Sequence, residues 1–267
     1  MKKMVDTSRG SLAVSVAGSG NAVVLLHGFL ESASIWEHLV DFLQEFYTVV
    51  CIDLPGHGQS PVVAETHTME LMADMMLEAL SKLDIEHFAL AGHSMGGYVG
   101  LAMAEKAPER LRGLALLHST ATADSEEKKA NRLRGVRAVG NNHTAFVKEA
   151  IPNLFAPSNV DRFPKAIAQL QAQAAETPAE GISAALLGMR ERPDRQQVVA
   201  GLNCPVLWVV GREDPAVPYA LMPNQLTLAK DTAALILENV GHMGFVEAPV
   251  DFRMALEAFL EEVYEVN

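Results

Sequence analysis

Residues 88–104 read Phe-Ala-Leu-Ala-Gly-His-Ser-Met-Gly-Gly-Tyr-Val-Gly-Leu-Ala-Met-Ala. The run opens apolar, passes through Gly92-His93-Ser94-Met95-Gly96 and continues as small and apolar residues toward Pro108. It has the pattern of strand, sharp turn and helix, with Ser94 at the apex. Glycines two residues either side of the serine give the G-x-S-x-G arrangement of a nucleophile elbow. The turn is so tight that side chains at 92 and 96 would collide with neighbouring backbone, and the serine takes a strained conformation. Its Oγ then stands above the sheet beside a helix N-terminus, where backbone N–H groups favour developing negative charge.

Working outward, the same rhythm repeats. Residues 10–17 alternate as a half-buried strand does. Residues 22–26, Ala-Val-Val-Leu-Leu, form a continuous apolar run of the kind a buried parallel strand shows, ending at His27-Gly28-Phe29. Helical spacing follows over 33–45, with Ile35, Leu39, Phe42 and Leu43 on one side. A strand over 47–52 ends in Asp53-Leu-Pro-Gly-His-Gly-Gln-Ser60, and a helix spans 68–83 with Leu71, Met75, Leu80 and Leu83 among its apolar positions. Residues 111–117 are the next strand. From about 120 to 200 the strand runs stop. Helical patterns near 125–139, 144–151, 161–175 and 179–191, separated by Asn141-Asn142, Pro152, Pro157 and Pro178, read as an insertion. Strand rhythm resumes at Pro205-Val-Leu-Trp-Val-Val210, followed by a helix near 219–229, a strand near 233–238 and a closing helix over 249–263. Alternating strands and helices imply right-handed crossovers and a parallel sheet with helices on both faces, an α/β fold. The expected organisation is a core from 1–119 and 201–267, with helices 120–200 inserted into it.

Composition narrows the function classes. The 267 residues suit one large α/β domain, or one domain with an insertion, and 49% hydrophobic with 20% charged content fits a globular chain rather than a disordered one. A net charge of −12 argues against a nucleic-acid partner, because phosphate binding needs a basic face. The two cysteines, Cys51 and Cys204, read as buried free thiols, giving neither a disulfide framework nor a metal spacing. No apolar core of a signal peptide follows the first lysines, and the longest uncharged run, 88–104, is too short and glycine-broken to span a bilayer. A cytoplasmic protein without a membrane span is expected.

Acyl transfer needs a nucleophile, a base, an acid to orient the base, and oxyanion donors. In a parallel sheet these come from loops at the carboxyl ends of strands, which gather along one edge. Ser94, Asp214 and His242 each follow such a strand, in the chain order Ser, Asp, His. Among nine histidines, His242 stands out as Gly241-His242 just past the last strand. Asp214 is preferred over Glu213, whose side chain should point elsewhere, and over Asp53, read as a turn residue. The backbone N–H groups of Met95 and Phe29 are the candidate oxyanion donors. Leu154, Phe155, Leu187, Met189 and Met243 are candidates for a largely apolar substrate pocket. His27, His57 and His93 read as hydrogen bonders that stabilise loops, and His118, placed where it could face the pocket, reads as structural. No histidine pair has the spacing of a helical zinc motif.

Together, His27-Gly28-Phe29, Asp53-Leu-Pro-Gly-His-Gly-Gln-Ser60, Gly92-His-Ser-Met-Gly-Gly97, Pro205-Val-Leu-Trp-Val-Val-Gly-Arg-Glu-Asp214 and Gly241-His242 carry a resemblance to the α/β-hydrolases, of the capped, esterase-and-lipase-like kind. The resemblance implies an eight-stranded, mostly parallel sheet with 120–200 as a helical cap over Ser94. It implies a serine esterase or thioesterase that needs no cofactor or metal and takes a small-molecule ester as its partner. Serine at the apex argues against haloalkane dehalogenases and epoxide hydrolases, which place aspartate there. Carbon–carbon hydrolases of ring-cleavage products often read Gly-Asn-Ser-Met-Gly-Gly with tryptophan after the histidine, where this chain has His93 and Met243. That activity, and a ligand sensor on the same fold, are the alternatives.

Overall fold

In the computed structural model the described residues are 2–265; Met1, Val266 and Asn267, at the extreme ends of the expected core ranges, lie outside them. The apolar runs become strands: β1 Lys2–Thr7, β2 Gly10–Ala17, β3 Ala22–Leu26, β4 Thr48–Ile52, β5 Phe88–His93, β6 Leu111–Leu117, β7 Val206–Gly211 and β8 Thr232–Leu237. They make one eight-stranded sheet in the order β1-β2-β4-β3-β5-β6-β7-β8. β2 runs antiparallel to both β1 and β4, and every other pairing is parallel. After β3 the chain pairs β4 on one side, then crosses back to place β5 on the other. The carboxyl ends of β3 and β5 therefore flank the point where strand order reverses, the place where open α/β sheets form ligand crevices.

Side chains alternate between the two faces of each strand, so one strand feeds two cores. Val23 and Leu25 of β3 pack with Leu39 and Leu43 of α1 (Glu37–Leu43) and with Phe252, Leu256 and Phe259 of α9 (Pro249–Tyr264). Val24 and Leu26 point the other way, toward Met72, Met76 and Leu80 of α2 (Met69–Lys82) and Val99 of α3 (Met95–Lys106). Helices thus cover both faces. Thr68 starts α2 by accepting the Leu71 N–H at 3.1 Å, an N-cap of the expected chemistry.

Several boundaries differ from expectation, each for a physical reason. β1 carries no strong strand signal because it is an edge strand in which Val5 alone is buried. Phe42, expected on the inner side of its helix, is 48% exposed beneath the Arg253 guanidinium, while Trp36, just before that helix, is fully buried. The expected helix near 219–229 reduces to 3₁₀ turns at Tyr219–Leu221 and Gln225–Thr227, since Pro223 between them cannot donate a helical hydrogen bond. The two helices expected near 125–139 and 144–151 join as α4 (Glu126–Ala150), broken by extended backbone at Asn142.

Between β6 and β7 lie α4, α5 (Pro164–Ala175), α6 (Ala179–Glu191) and α7 (Gln196–Gly201). This segment is tied to the sheet loops by specific contacts. The His67 N–H donates to Ala184 O at 3.0 Å. Gly181 and Gly188 let α6 lie directly on the backbone of Gly56 and His67, where a Cβ at either position would overlap a carbonyl oxygen. Arg195 reaches Glu105 at 3.0 Å, and also Glu70. Among the described residues no helix is long and apolar enough to cross a membrane.

Candidate active site

Ser94 sits between β5 and α3 with φ 50° and ψ −112°, a conformation an L residue adopts only when its surroundings impose it. The sequence shows why they do. A Cβ at Gly92 would lie 2.5 Å from the backbone of Gly96 and Gly97, and one at Gly96 would lie 2.7 Å from His27 O. The turn continues the β5–β6 ladder through Ser94 N–H to Leu117 O at 2.9 Å. Ser119 Oγ donates to Ser94 O at 2.9 Å. The apex is therefore rigid, and Ser94 and His242 open on a common cleft of about 100 Å³.

The loop after β7 holds Asp214, whose carboxylate accepts four hydrogen bonds. Oδ1 takes the N–H groups of Ala216 and Val217, both at 2.8 Å. Oδ2 takes His242 Nδ1 at 2.8 Å and His118 Nδ1 at 3.3 Å. Burial opposes ionisation of Asp214, but His242 and these hydrogen bonds outweigh it and hold the carboxyl well below the usual range. With its Nδ1–H donating a hydrogen bond to the Asp214 carboxylate, the neutral tautomer of His242 presents Nε2 as an acceptor. His118 is a participant that sequence reading set aside as structural. It has φ 48°, and its burial outweighs the pull of Asp214 and lowers its pKa. One potential ligand atom each from His118, Asp214 and His242 lies within 4.8 Å of the others, and the hydrogen bonds between the three explain that closeness.

The loop after β3 carries Phe29. Among the described residues neither the Phe29 N–H nor the Met95 N–H finds a protein acceptor. Two side chains that sequence reading did not single out for the site hold this loop. Glu31 Oε2 accepts the Gly28 N–H at 2.5 Å and pairs with His93 Nδ1 at 3.0 Å. His93 Nε2 meets His242 O at 2.9 Å. With an acceptor at both ring nitrogens, His93 must carry both protons. Burial opposes its charge, yet Glu31 overrides it and raises the pKa, while His93 in turn lowers that of Glu31 against the same penalty. One buried ion pair thus links the loop after β3, the residue before Ser94 and the loop of His242. The other loop histidines are neutral hydrogen bonders. His27 Nε2 accepts the Leu54 N–H at 2.9 Å, and His57 Nδ1 faces Pro55 O at 3.2 Å.

Glu247, in the short helix α8 (Gly244–Glu247), is a further residue without a local signal. Its carboxylate accepts the N–H groups of Gly241 and Met243 at 3.1 Å and that of Ala156 at 3.0 Å. It also accepts Asn159 Nδ2 at 2.7 Å. The His242 N–H donates to Leu154 O at 2.7 Å. The histidine loop is thereby stitched to the segment between β6 and β7.

Of the residues expected to line a substrate pocket, Leu154 and Met189 border the cleft with Phe29 and Tyr98. Phe155, Leu187 and Met243 do not line it. Phe155 is buried against Phe163 within the inserted segment, and Leu187 is half-buried on α6, beside Leu186, which packs inward. Met243 is fully buried in the core beneath the loop. The lining is largely apolar, as expected, but it also includes two cations that the expectation did not, Lys128 and Arg132 of α4. Their helix face looks like any solvated, charged surface in the sequence.

A profile described as alpha/beta hydrolase fold matches residues 21–249. The chain is similar to a thermophilic esterase from Thermogutta terrifontis solved with malate bound, at 32% identity and TM-score 0.91, covering 98% of this chain and 99% of that one. It is 30% identical to a pimeloyl-[acyl-carrier protein] methyl ester esterase from Aeromonas hydrophila, over 94% of this chain and 99% of the relative. It is 24% identical to an (E)-2-((N-methylformamido)methylene)succinate hydrolase from Acinetobacter baylyi, over 91% and 92%.

Proposed function

The chain belongs to the alpha/beta hydrolase fold family, and on that premise we propose that it is a serine hydrolase of carboxylic esters, with Ser94, Asp214 and His242 as its triad. The observation that carries this reading is the joint opening of a strained Ser94 and His242 on one cleft, with His242 Nδ1 held by Asp214 at 2.8 Å. His242 Nε2 takes the Ser94 proton as Oγ attacks the acyl carbonyl. The tetrahedral oxyanion is received by the N–H groups of Phe29 and Met95, a pair of donors each worth roughly 3 kcal/mol in the transition state. The proton passes from His242 to the departing alcohol, leaving an acyl-serine. Water, deprotonated by His242, then releases the acid and restores Ser94. Residues 120–200 act as the cap over this site, a role their contacts to the loops at 56, 67 and 241–243 support.

The test is hydrolysis of chromogenic esters from acetyl to decanoyl by the wild type and by Ser94→Ala. Turnover should fall by at least about 10³-fold in the variant. Equal activity of the two proteins, or none from either on any ester, overturns the reading.

A further inference from the structure

The charges around the cleft do not cancel. Lys128 and Arg132 lie one turn apart on α4 and both face the Ser94 cleft. The carboxylate nearest them, Asp124, has no exposed side-chain surface and is neutralised from behind. Arg192 Nη1 donates to it at 2.8 Å, and that guanidinium is itself fixed by Thr122 O at 3.0 Å and by the Tyr98 ring at 4.0 Å. Arg132 adds only its Nε, at 3.0 Å, and Lys128 Nζ stands 3.9 Å away. Three cations against one carboxylate leave two positive charges on the cleft wall. Donors remain as well. Among the described residues the terminal nitrogens of Arg132 have no protein acceptor, and Lys128 Nζ has one close partner, Ala216 O at 2.7 Å.

The acids at the cleft do not supply the missing counter-charge. Glu31 is taken up by His93 and the Gly28 N–H, and Asp214 by two imidazoles and two amides. The surplus is also out of character for the molecule, whose net charge is −12. A local positive wall on an acidic protein concentrates anions at that spot and repels them elsewhere. An arginine with a free planar fork is suited to carboxylate recognition.

We propose that the site selects esters bearing a second, ionised carboxylate, held by Arg132 and Lys128 while the ester carbonyl faces Ser94. This rests on the hydrolase reading above. Water cleaves the acyl C–O bond as before, and the second carboxylate leaves unchanged on the product.

The test compares mono-4-nitrophenyl adipate with 4-nitrophenyl 6-methylheptanoate, in which an isopropyl group replaces the carboxylate. Spontaneous hydrolysis is subtracted. The wild type should favour the anionic ester in kcat/KM by at least about 10-fold at low salt, chiefly through KM, and the preference should shrink as ionic strength rises. Arg132→Gln should cut that ratio by about 10-fold, and Arg132→Lys, which keeps the charge and loses the fork, should retain only part of it. Because Arg132 also contacts Asp124, Lys128→Met serves as a second variant, with melting temperatures measured for all. A wild-type ratio of one or less overturns the substrate class and leaves the hydrolase reading standing. So does a ratio unmoved by both Arg132→Gln and Lys128→Met. Turnover of neither ester overturns the hydrolase reading and the substrate class with it.

Discussion

Glu247 shows how far one carboxylate can position an imidazole it never touches. It accepts bonds from both neighbours of His242 and from two residues of the inserted segment. Glu247→Ala leaves those buried donors unpaired, a cost of about 1–3 kcal/mol for each. We expect a lower melting temperature and a fall in kcat larger than the change in KM, with Glu247→Gln restoring part of both. Equal loss of stability without a change in kcat would limit Glu247 to a structural role. None of this is visible in sequence, because the partners lie up to 91 positions away. The same holds for Glu31 and His93, separated by 62 positions. By contrast, Ser94, Asp214 and His242 could be singled out because each lies within five residues of the end of an apolar strand run, a local signature. His118 shares that position after β6, and the signal that could have promoted it was there.

At the scale of elements, legibility follows burial. Parallel strands enclosed on both faces are written as unbroken apolar runs, so β3 to β7 are plain. The exposed edge strand β1 and the proline-broken stretch 218–227 are not. Packing between elements is less visible still. Gly188 reads as a weak point in a helix, yet it is where α6 meets the backbone at His67. Gly188→Ala should improve intrinsic helix propensity and still destabilise the protein, by a few kcal/mol, because the Cβ must push α6 off the loop. A denaturant midpoint unchanged or raised in the variant would refute that contact. The charge on the cleft wall was hidden for a related reason: Lys128 and Arg132 acquire their role only from where α4 is laid.

For the molecule as a whole, buried histidines of opposite tendency should shape stability against pH. Burial, reinforced by His27, pushes the His57 imidazole down to about 3. Below pH 6.5 the unfolded chain therefore binds a proton that the native state refuses until pH approaches 3. Stability falls through that window by up to about 1.4 kcal/mol per pH unit. The depressed carboxyls of Glu31 and Asp214 lose their contributions as pH falls further. His93 has the opposite sign: its raised pKa stabilises fully below about 6.5, and that contribution fades as pH rises through its folded value. Urea midpoints from pH 4 to 9 should pass through a maximum near neutrality. His57→Gln should flatten the acid limb alone, and an unchanged acid limb would show that His57 does not govern it.

The stitch between residues 154–159 and the loop of His242 also bears on how this chain could be recombined with its homologues. By sequence, those residues belong to the inserted segment. By hydrogen bonds, they belong to the end of the sheet. A chimera joined at the outer borders of the segment would import a foreign stitch and misalign the loop of His242. Crossovers placed after residue 163 and before β7 keep that seam native, provided the incoming α6 keeps glycine where Gly181 and Gly188 rest on the backbone of Gly56 and His67.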